Sequence, residues 1–383
     1  MTLATGATWL EEFAAAAAKT DKFTGKPDHA ALLAAGLIGE AGSIVAELKK
    51  ARRERDAYPV YRERMVEEVG DFLWYFVRLA ALVTPGLVGE LPVPEKIEIV
   101  PPAADGPQLA GHLQFGAAVG EVLAGVSASK YDDMHALLRR AWGLLTVISN
   151  DANVGLRDAA ERNKTKTRSR WPDERHYAAL FDDDFPVEEQ LPRRLHVDFL
   201  ERTRGSQRAV LLRCNDINFG DRLTDNIEDP DGYRFHDIFH FAYAVHLGWS
   251  PVVRALMRTK RKSDSKVDEA QDGARAGIIE EAVSAIVFSR AKHLKFFDGL
   301  DHVDLDLLKT VKEFVEGFEV EAVPLWQWET AILDGYRVFR ALSAGPGGRV
   351  ILDLGARQLT YAAHAASDGR ATRGPQSTLP GTS

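Results

Sequence analysis

Residues 61–83, which read YRERMVEEVGDFLWYFVRLAALV, set the architecture of the first half of this chain. The segment is apolar on almost every side from residue 66 to residue 83, and a helix that is apolar all round lies in a protein interior. Three carboxylates, those of Glu67, Glu68 and Asp71, stand where this apolar run begins. Side chains three or four positions apart share one face of a helix. The segment therefore predicts a central buried helix whose acidic residues are hard to explain as solvent decoration.

A second acidic helix is predicted just before it, over residues 29–53, with Asp28 as its N-cap. Its apolar stripe follows helical spacing, and Glu40 and Glu47 lie on the flank of that stripe. Like charges against apolar sequence repel strongly unless a cation joins them. Mg²⁺ takes oxygen ligands and commonly bridges carboxylates to phosphates. Two such helices facing each other predict an oxygen-lined Mg²⁺ site suited to the phosphates of a nucleotide.

The composition excludes several classes of protein. The chain has 383 residues and a formal net charge of −8, so bulk charge gives no reason to expect nucleic-acid binding that is independent of sequence. An anionic substrate would need a local cation site. Cys214 is the single cysteine, which excludes an intrachain disulfide framework and a cysteine-based zinc cluster and fits a reducing compartment.

The chain is expected to be cytoplasmic and to have no membrane partner. The apolar residues 14–18 follow Glu11 and Glu12, where an export signal would carry basic residues. No uncharged apolar stretch reaches the roughly 18–20 residues that span a bilayer. The best candidate, residues 72–83, is short and contains Arg78.

The predicted fold class is mainly α, with an all-α helical bundle followed by a mainly helical domain that carries a small β-hairpin or sheet. Helices are predicted over residues 8–20, 29–53, 61–83, 108–127, 131–150, 153–166, 233–247, 250–260, 273–295, 304–316 and 328–342. Strands are predicted over residues 195–199, 209–214 and 347–354, with a short extended piece at 97–100. The prolines and acids of residues 182–192 predict a linker, and the composition after residue 365 predicts a disordered tail.

The first half resembles the MazG-like all-α nucleoside triphosphate pyrophosphohydrolases. The resemblance covers about residues 8–175 and has a large insertion after the second acidic helix. It is carried by the following segments: Gly39-Glu40-Ala41-Gly42-Ser43, Glu68-Val69-Gly70-Asp71 with the aromatic run after it, Asn163 with Lys166, and Arg170-Trp171-Pro172.

The resemblance implies Mg²⁺-dependent cleavage between the α- and β-phosphates, with Mn²⁺ as an alternative ion. By this resemblance Glu40, Glu68 and Asp71 are metal ligands and catalytic residues. It implies phosphate contacts for the set Asn163, Lys166 and Arg170. It also implies a homo-oligomer.

The sequence departs from the family pattern at Ser43, where the family usually has a second glutamate. Glu47, one turn further along the helix, is a candidate for the further ligand or base. Alternatively the site is weakened, and the domain senses nucleotides without turning them over. The plainer alternative is that the acidic residues are ordinary helix-flank charges and that the basic residues from Lys164 to Arg170 form a solvated face.

The second half contains a second polar cluster. His236 and His240 are four positions apart on one predicted helix, a spacing compatible with a shared metal ion. With Asp237 and either Glu280 or Glu281 they form a candidate second site. The alternative is a helix pair with buried, hydrogen-bonded histidines and solvated acids. The basic run 258–266 is interpreted as a solvated helix end rather than a phosphate contact.

This half resembles the C-terminal domain found attached to some MazG-like proteins. The resemblance rests on Gly220-Asp221-Arg222-Leu223, Phe235-His236-Asp237 with Phe239-His240, Arg261-Lys262-Ser263, Asp272-Gly273 and Ile279-Glu280-Glu281. The predicted domains are therefore residues 1–180, a MazG-like pyrophosphohydrolase, and 193–365, a MazG-associated domain, with a tail over 366–383.

Overall fold

The computed structural model describes residues 8–93, 109–205 and 207–364. The chain divides into two compact units between Arg175 and His176. The predicted extended piece at 97–100 and the predicted tail at 366–383 lie outside the described residues. The fold class is confirmed, because the described residues are mainly helical and contain one small antiparallel sheet.

The described part of the first unit is entirely helical. Its α-helices are α1 (Trp9–Thr20), α2 (His29–Glu54), α3 (Tyr61–Val83), α4 (Leu87–Glu90), α5 (Leu109–Ser127), α6 (Met134–Asp151) and α7 (Leu156–Arg170). Helix α1 starts with a capping box, in which the Thr8 hydroxyl accepts from the Glu11 amide and the Glu11 carboxylate accepts from the Thr8 amide. Such reciprocal bonds satisfy backbone donors that the first turn would otherwise leave unpaired.

Helix α3 lies at the centre of this unit, as its apolar sequence predicts. Phe72, Leu73 and Phe76 are fully buried in the core that α3 shares with its neighbours. The one cation in the second half of the helix, Arg78, donates to Asp21, whose side chain is buried. Burial alone would raise the pKa of Asp21, but hydrogen bonds from the Phe23 amide, His29 and Arg78 lower it.

Two glycines allow the close packing of α3 against its neighbours. A Cβ atom at Gly70 would lie 2.5 Å from the Ala159 carbonyl oxygen and 3.1 Å from the Asn163 Cβ atom, so the missing side chain lets α7 approach α3. A Cβ atom at Gly36 would lie 2.1 Å from the Tyr75 ring, which occupies that space on α2. Side chains of α2, α3 and α7 are thereby brought within contact distance of one another.

The described residues of the second unit form one sheet and six α-helices. The strands are β1 (Arg194–Arg204), β2 (Gln207–Cys214), β3 (Ile217–Leu223), β4 (Gly347–Asp353) and β5 (Gln358–Ala362), in the antiparallel order β3-β2-β1-β4-β5. The helices are α8 (Asp237–Leu247), α9 (Pro251–Met257), α10 (Ser265–Ala270), α11 (Ala274–Lys292), α12 (Leu305–Phe314) and α13 (Leu325–Ser343).

The core of this unit is built from the sheet and from helices α8, α11, α12 and α13. Val197 and Phe199 alternate with more exposed residues along β1 and are fully buried. Their register partners on the neighbouring strands are Val350 and Leu212, which are also buried. Every residue of α8 is buried, so the polar side chains of this helix require partners inside the protein.

The segment predicted to be a linker, residues 182–192, is an integral part of the second unit. Asp182 is 1% exposed and accepts hydrogen bonds from the Leu191 amide and from Arg254, which is also buried. Burial alone would raise the pKa of Asp182, but hydrogen bonds from Arg193, Leu191 and Arg254 lower it. This buried carboxylate, bonded to Leu191 and Arg254 and paired with Arg193, fixes the segment on the domain.

The basic run 258–266 also differs from its prediction as a solvated helix end. Arg261 is 1% exposed and makes two hydrogen bonds each to Asp272 and Glu319 through its side chain. Paired carboxylates of this kind satisfy the planar donor set of a guanidinium. The central cation of the run is therefore structural.

Two helical segments, His29–Ala57 and Leu109–Ser127, are long and apolar enough to cross a membrane by length and composition alone. Neither is the segment 72–83 that the sequence favoured as best candidate. Ile44 and Phe115, one from each helix, are buried in the core of the first unit. Because core helices of water-soluble proteins pass the same test, the two helices are weak evidence for a membrane.

Candidate functional site

The acidic residues of α2 and α3 lie together in the first unit, and α7 adds a cation and an amide. Asp71 accepts a hydrogen bond from the Asn163 side-chain amide at 2.7 Å and forms an ion pair with the Lys166 ammonium. The same ammonium lies 3.6 Å from Glu67 Oε1. Residues that are more than 90 positions apart in sequence thus form one cluster.

Glu40 completes this cluster from the side of α2. Its carboxyl shares a hydrogen bond with Glu68. Its pKa is raised to about 8, first by burial and then by the charges of Asp71 and Glu68, while the charge of Lys166 acts in the opposite direction. A carboxyl group that is partly desolvated beside two other carboxylates holds a proton unless a cation neutralises it. With a pKa of about 8, the Glu40 carboxyl is mostly protonated at neutral pH.

The donor set fits a hard divalent cation. Glu40, Glu68 and Asp71 offer only carboxylate oxygens, which are the ligands that Mg²⁺ prefers. The pKa of Glu40 is raised first by burial and then by the charges of Asp71 and Glu68. The residues predicted as metal ligands are thus brought together, and their role as ligands stays a prediction.

Glu47 is placed in a different set of contacts. Its side chain is buried and accepts short hydrogen bonds from the Lys50 ammonium and the Tyr58 hydroxyl. Burial raises the pKa of Tyr58 to about 12, and the hydrogen bond and charge of Glu47 contribute to the increase. The charge of Glu68 also raises the pKa of Tyr58, so Tyr58 and Glu47 lie beside the acidic cluster.

Two further residues of the prediction are Ser43, where the sequence departs from the family pattern, and Arg170, a predicted phosphate contact. Ser43 is half-buried on α2. Arg170 is buried at the end of α7, and its guanidinium carbon lies 4.9 Å from the centroid of the Trp171 ring. The predicted phosphate-binding roles of Asn163, Lys166 and Arg170 are untested by this geometry.

Three neighbours of the cluster were not assigned a role from the sequence. Glu67 is the first of these, and the Lys166 ammonium contacts both Glu67 and Asp71. Tyr58 holds Glu47. Burial raises the pKa of Tyr75, and Glu40 and Asp71 add to the effect through their charges. The helical spacing of Glu67 and Asp71 was the available signal, whereas no sequence pattern identifies the two tyrosines.

The second polar cluster also assembles, at the junction of α8 and α11. His240 Nδ1 lies 2.9 Å from Glu280 Oε1, and His240 Nε2 lies 3.3 Å from Glu281 Oε1. His236 Nε2 lies 3.2 Å from Asp237 Oδ1. Burial alone would lower the pKa of His240, but Glu280 and Glu281 raise it well above its ordinary value. Burial raises the pKa of Asp237, against the opposing charges of His236 and His240.

A cleft of about 880 Å³ lies elsewhere in the second unit, against β2, β3 and the loop that follows β3. Three arginines, Arg208, Arg222 and Arg234, line it together with acidic residues. Arg234 is already paired with Asp225 and Glu201. None of the site residues predicted from the sequence lines this cleft.

The fold and the two clusters define a mainly α protein with two units, in which a helical acidic cluster precedes a domain built on a five-stranded sheet. Residues 176–365 match the family model described as the MazG C-terminal domain. This match coincides with the second unit and supports a MazG-related protein. The match does not include the first unit, whose resemblance to pyrophosphohydrolases stays a prediction. Searches of curated proteins and of solved structures found no match.

Proposed function

We propose that the first unit is a Mg²⁺-dependent hydrolase that converts nucleoside triphosphates to monophosphates and pyrophosphate. The observation that carries the proposal is the convergence of Glu40, Glu68 and Asp71 from two helices, with the pKa of Glu40 raised to about 8 by burial and by its acidic neighbours. The MazG-related second unit supports a nucleotide substrate. The motif resemblance of the first unit supports the specific reaction.

Each residue of the cluster has a role in this reaction. Glu40, Glu68 and Asp71 would hold Mg²⁺, which supplies neutralisation of phosphate charge and acidification of a bound water when present. The Lys166 side chain would move so that its ammonium pairs with a phosphate oxygen in place of Asp71. Asn163 would keep the Asp71 carboxylate oriented through its hydrogen bond at 2.7 Å. The reaction breaks the bond between the α-phosphorus and the bridging oxygen, and water supplies the new oxygen.

A second candidate function is nucleotide sensing without turnover, coupled to the second unit. The observation that favours it is the state of Glu47, the carboxylate that could compensate for Ser43. Both oxygens of Glu47 accept hydrogen bonds, one from Lys50 and one from Tyr58. If these bonds persist with substrate bound, the site retains one carboxylate fewer than the family pattern. The proposals of a cytoplasmic homo-oligomer apply equally to both functions.

The two functions differ in one assay. The full-length protein is incubated with each ribonucleoside and deoxyribonucleoside triphosphate and Mg²⁺ or Mn²⁺, and pyrophosphate release is measured. We expect release from at least one nucleotide and a loss of roughly 100-fold or more in Asp71→Asn and Glu68→Gln, as for removal of a group that stabilises developing charge. Glu63→Gln is the matched control, since Glu63 is exposed on the same helix.

Retained nucleotide binding without pyrophosphate release from any substrate would favour the sensor. Release that survives both Asp71→Asn and Glu68→Gln would refute the assignment of the site.

A further inference from the structure

The cluster on α8 and α11 contains two imidazoles whose orientation is fixed by bonds at Nδ1. His236 Nδ1 lies 2.9 Å from the Tyr233 carbonyl oxygen. A carbonyl oxygen can only accept, so Nδ1 carries the proton. The Tyr233 ring also stacks on the His236 ring, with centroids 4.4 Å apart and planes 2° from parallel. The unprotonated nitrogen of neutral His236 is therefore Nε2, in a fixed direction.

His240 is held in the same tautomer by a buried carboxylate. Glu280 is fully buried and accepts hydrogen bonds from the Ser250 hydroxyl and the Val252 amide in addition to the contact with His240 Nδ1. Metal-bound histidines commonly donate their other ring nitrogen to a carboxylate that is itself hydrogen-bonded. Glu280 has this supporting arrangement.

The second nitrogen of each ring, Nε2, faces a carboxylate. His240 Nε2 is buried without a hydrogen-bond partner, although Glu281 Oε1 lies 3.3 Å away. His236 Nε2 lies 3.2 Å from the Asp237 carboxylate. A nitrogen lone pair beside a carboxylate is unfavourable unless a cation lies between them or the ring takes a second proton. The same condition arises at two places in one cluster.

The donor atoms converge at a distance that one ion can span. One ligand atom from each of His236, His240 and Glu281 lies within 4.8 Å of the other two. His240 is fully buried, whereas the Glu281 side chain is 46% exposed. The cluster is therefore enclosed on the side of α8 and reached from solvent on the side of Glu281.

We propose that His236, His240 and Glu281, with Asp237 beside them, form a binding site for a divalent transition-metal ion in the second unit. Two imidazoles and carboxylates suit Zn²⁺, Mn²⁺ or Fe²⁺ better than Mg²⁺, because imidazole is a borderline ligand and Mg²⁺ prefers oxygen. The site is separate from the acidic cluster of the first unit and does not depend on the function proposed there. Without a metal ion, a second proton on each imidazole would occupy Nε2 instead.

The test uses full-length protein that carries Glu68→Gln and Asp71→Asn, so that the acidic cluster of the first unit contributes little. Zn²⁺ binding is measured by competition with a chromophoric chelator. We expect one Zn²⁺ per chain, with an affinity that falls as the pH is lowered because protons compete for the imidazoles.

Changes to neighbours of a metal ligand weaken binding by roughly 10–100-fold, and this range is expected for Glu280→Gln. Loss of a ligand should exceed it, so His240→Gln and Glu281→Gln should each weaken binding by about 100-fold or more. His293→Gln is the matched control and should bind as the parent does, since His293 is exposed at the end of α11.

Absence of Zn²⁺ binding in the parent, or equal affinity in the parent and Glu281→Gln, would overturn the site. Loss confined to His240→Gln would overturn it as well, because a buried histidine can be needed for folding alone. Glu281 separates these cases, since its exposed side chain can be changed without disturbing the core.

Discussion

Replacing Gly70 by alanine is expected to separate α3 from α7 at the acidic cluster. The new Cβ atom would lie 2.5 Å from the Ala159 carbonyl oxygen, whereas ordinary van der Waals contact begins at 3.4 Å. The obstacle is backbone, which cannot rotate away as the end of a flexible side chain does. A shift of nearly 1 Å between the helices would move Lys166 and Asn163 away from Asp71.

The magnitude follows from comparison with a second glycine. Gly39 is exposed on α2, and a Cβ atom there would meet nothing within 4 Å. Alanine in place of glycine inside a helix stabilises it by about 0.5–1 kcal/mol, and this gain is common to Gly70→Ala and Gly39→Ala. The difference between the two variants therefore isolates the steric term, which is about 1–3 kcal/mol for overpacking of a tight interface.

The assay is urea unfolding of the two full-length variants, followed by circular dichroism at a helical wavelength. We expect Gly39→Ala to unfold at higher urea than the parent and Gly70→Ala at lower urea than Gly39→Ala. If the two variants have equal midpoints and slopes, the close approach of α3 and α7 at Gly70 does not determine their packing.

Three further perturbations have defined outcomes. Tyr58→Phe removes a hydrogen bond to the buried Glu47 carboxylate and should lower the free energy of unfolding by about 2 kcal/mol, measured by urea unfolding. Arg254→Met leaves the buried Asp182 with one cation fewer and should cost about 3–5 kcal/mol, seen as a lower Tm. The pKa of Glu40 is about 8 in the folded chain against an ordinary value of 4.5, so the folded state binds more protons in this range and stability falls as the pH rises from about 4.5 to 8. Glu40→Gln should remove about 2 kcal/mol of this fall, less than the full shift because water screens a part-exposed group, as measured by urea unfolding across that range.

Each of these variants has a control of the same chemical type. Tyr131→Phe changes a tyrosine that is 40% exposed, Arg258→Met an exposed arginine and Glu63→Gln an exposed glutamate of α3. We expect these three controls to stay close to the parent protein. A Tyr58→Phe or Arg254→Met variant as stable as its control, or a pH dependence that persists in Glu40→Gln, would contradict the corresponding contact.

Helices were the part of the fold that the sequence predicted well, because their signals are local. Apolar residues at helical spacing predicted α2 and α3 to within one residue of their observed ends. The strands β3 and β5 were not predicted. Both lie at sheet edges. Strand β3 is mostly exposed, so it lacks the alternating burial that identifies a half-buried strand. Strand β5 does alternate polar residues with the apolar Leu359 and Tyr361, but over only five residues.

In the candidate site, too, only the features that depend on local sequence were predicted. Helical spacing indicated that Glu68 and Asp71 share a face, and the structure places Glu40 beside them. Contacts that join distant positions were beyond such reasoning. Asp182 appeared to belong to a linker because its partner Arg254 is 72 positions away, and local composition contains no information about that partner.

Lys166 provides the acidic cluster of the first unit with a counter-ion that belongs to the protein itself. Its ammonium already neutralises Asp71, so a divalent ion that uses this carboxylate must first displace a covalently attached competitor. A phosphate group that attracts the ammonium removes that competitor. Under the function proposed above, and since coupling between two ligands is reciprocal, Mg²⁺ and nucleotide are each expected to raise the affinity of the other, and the ion alone is expected to bind more weakly than three free carboxylates would.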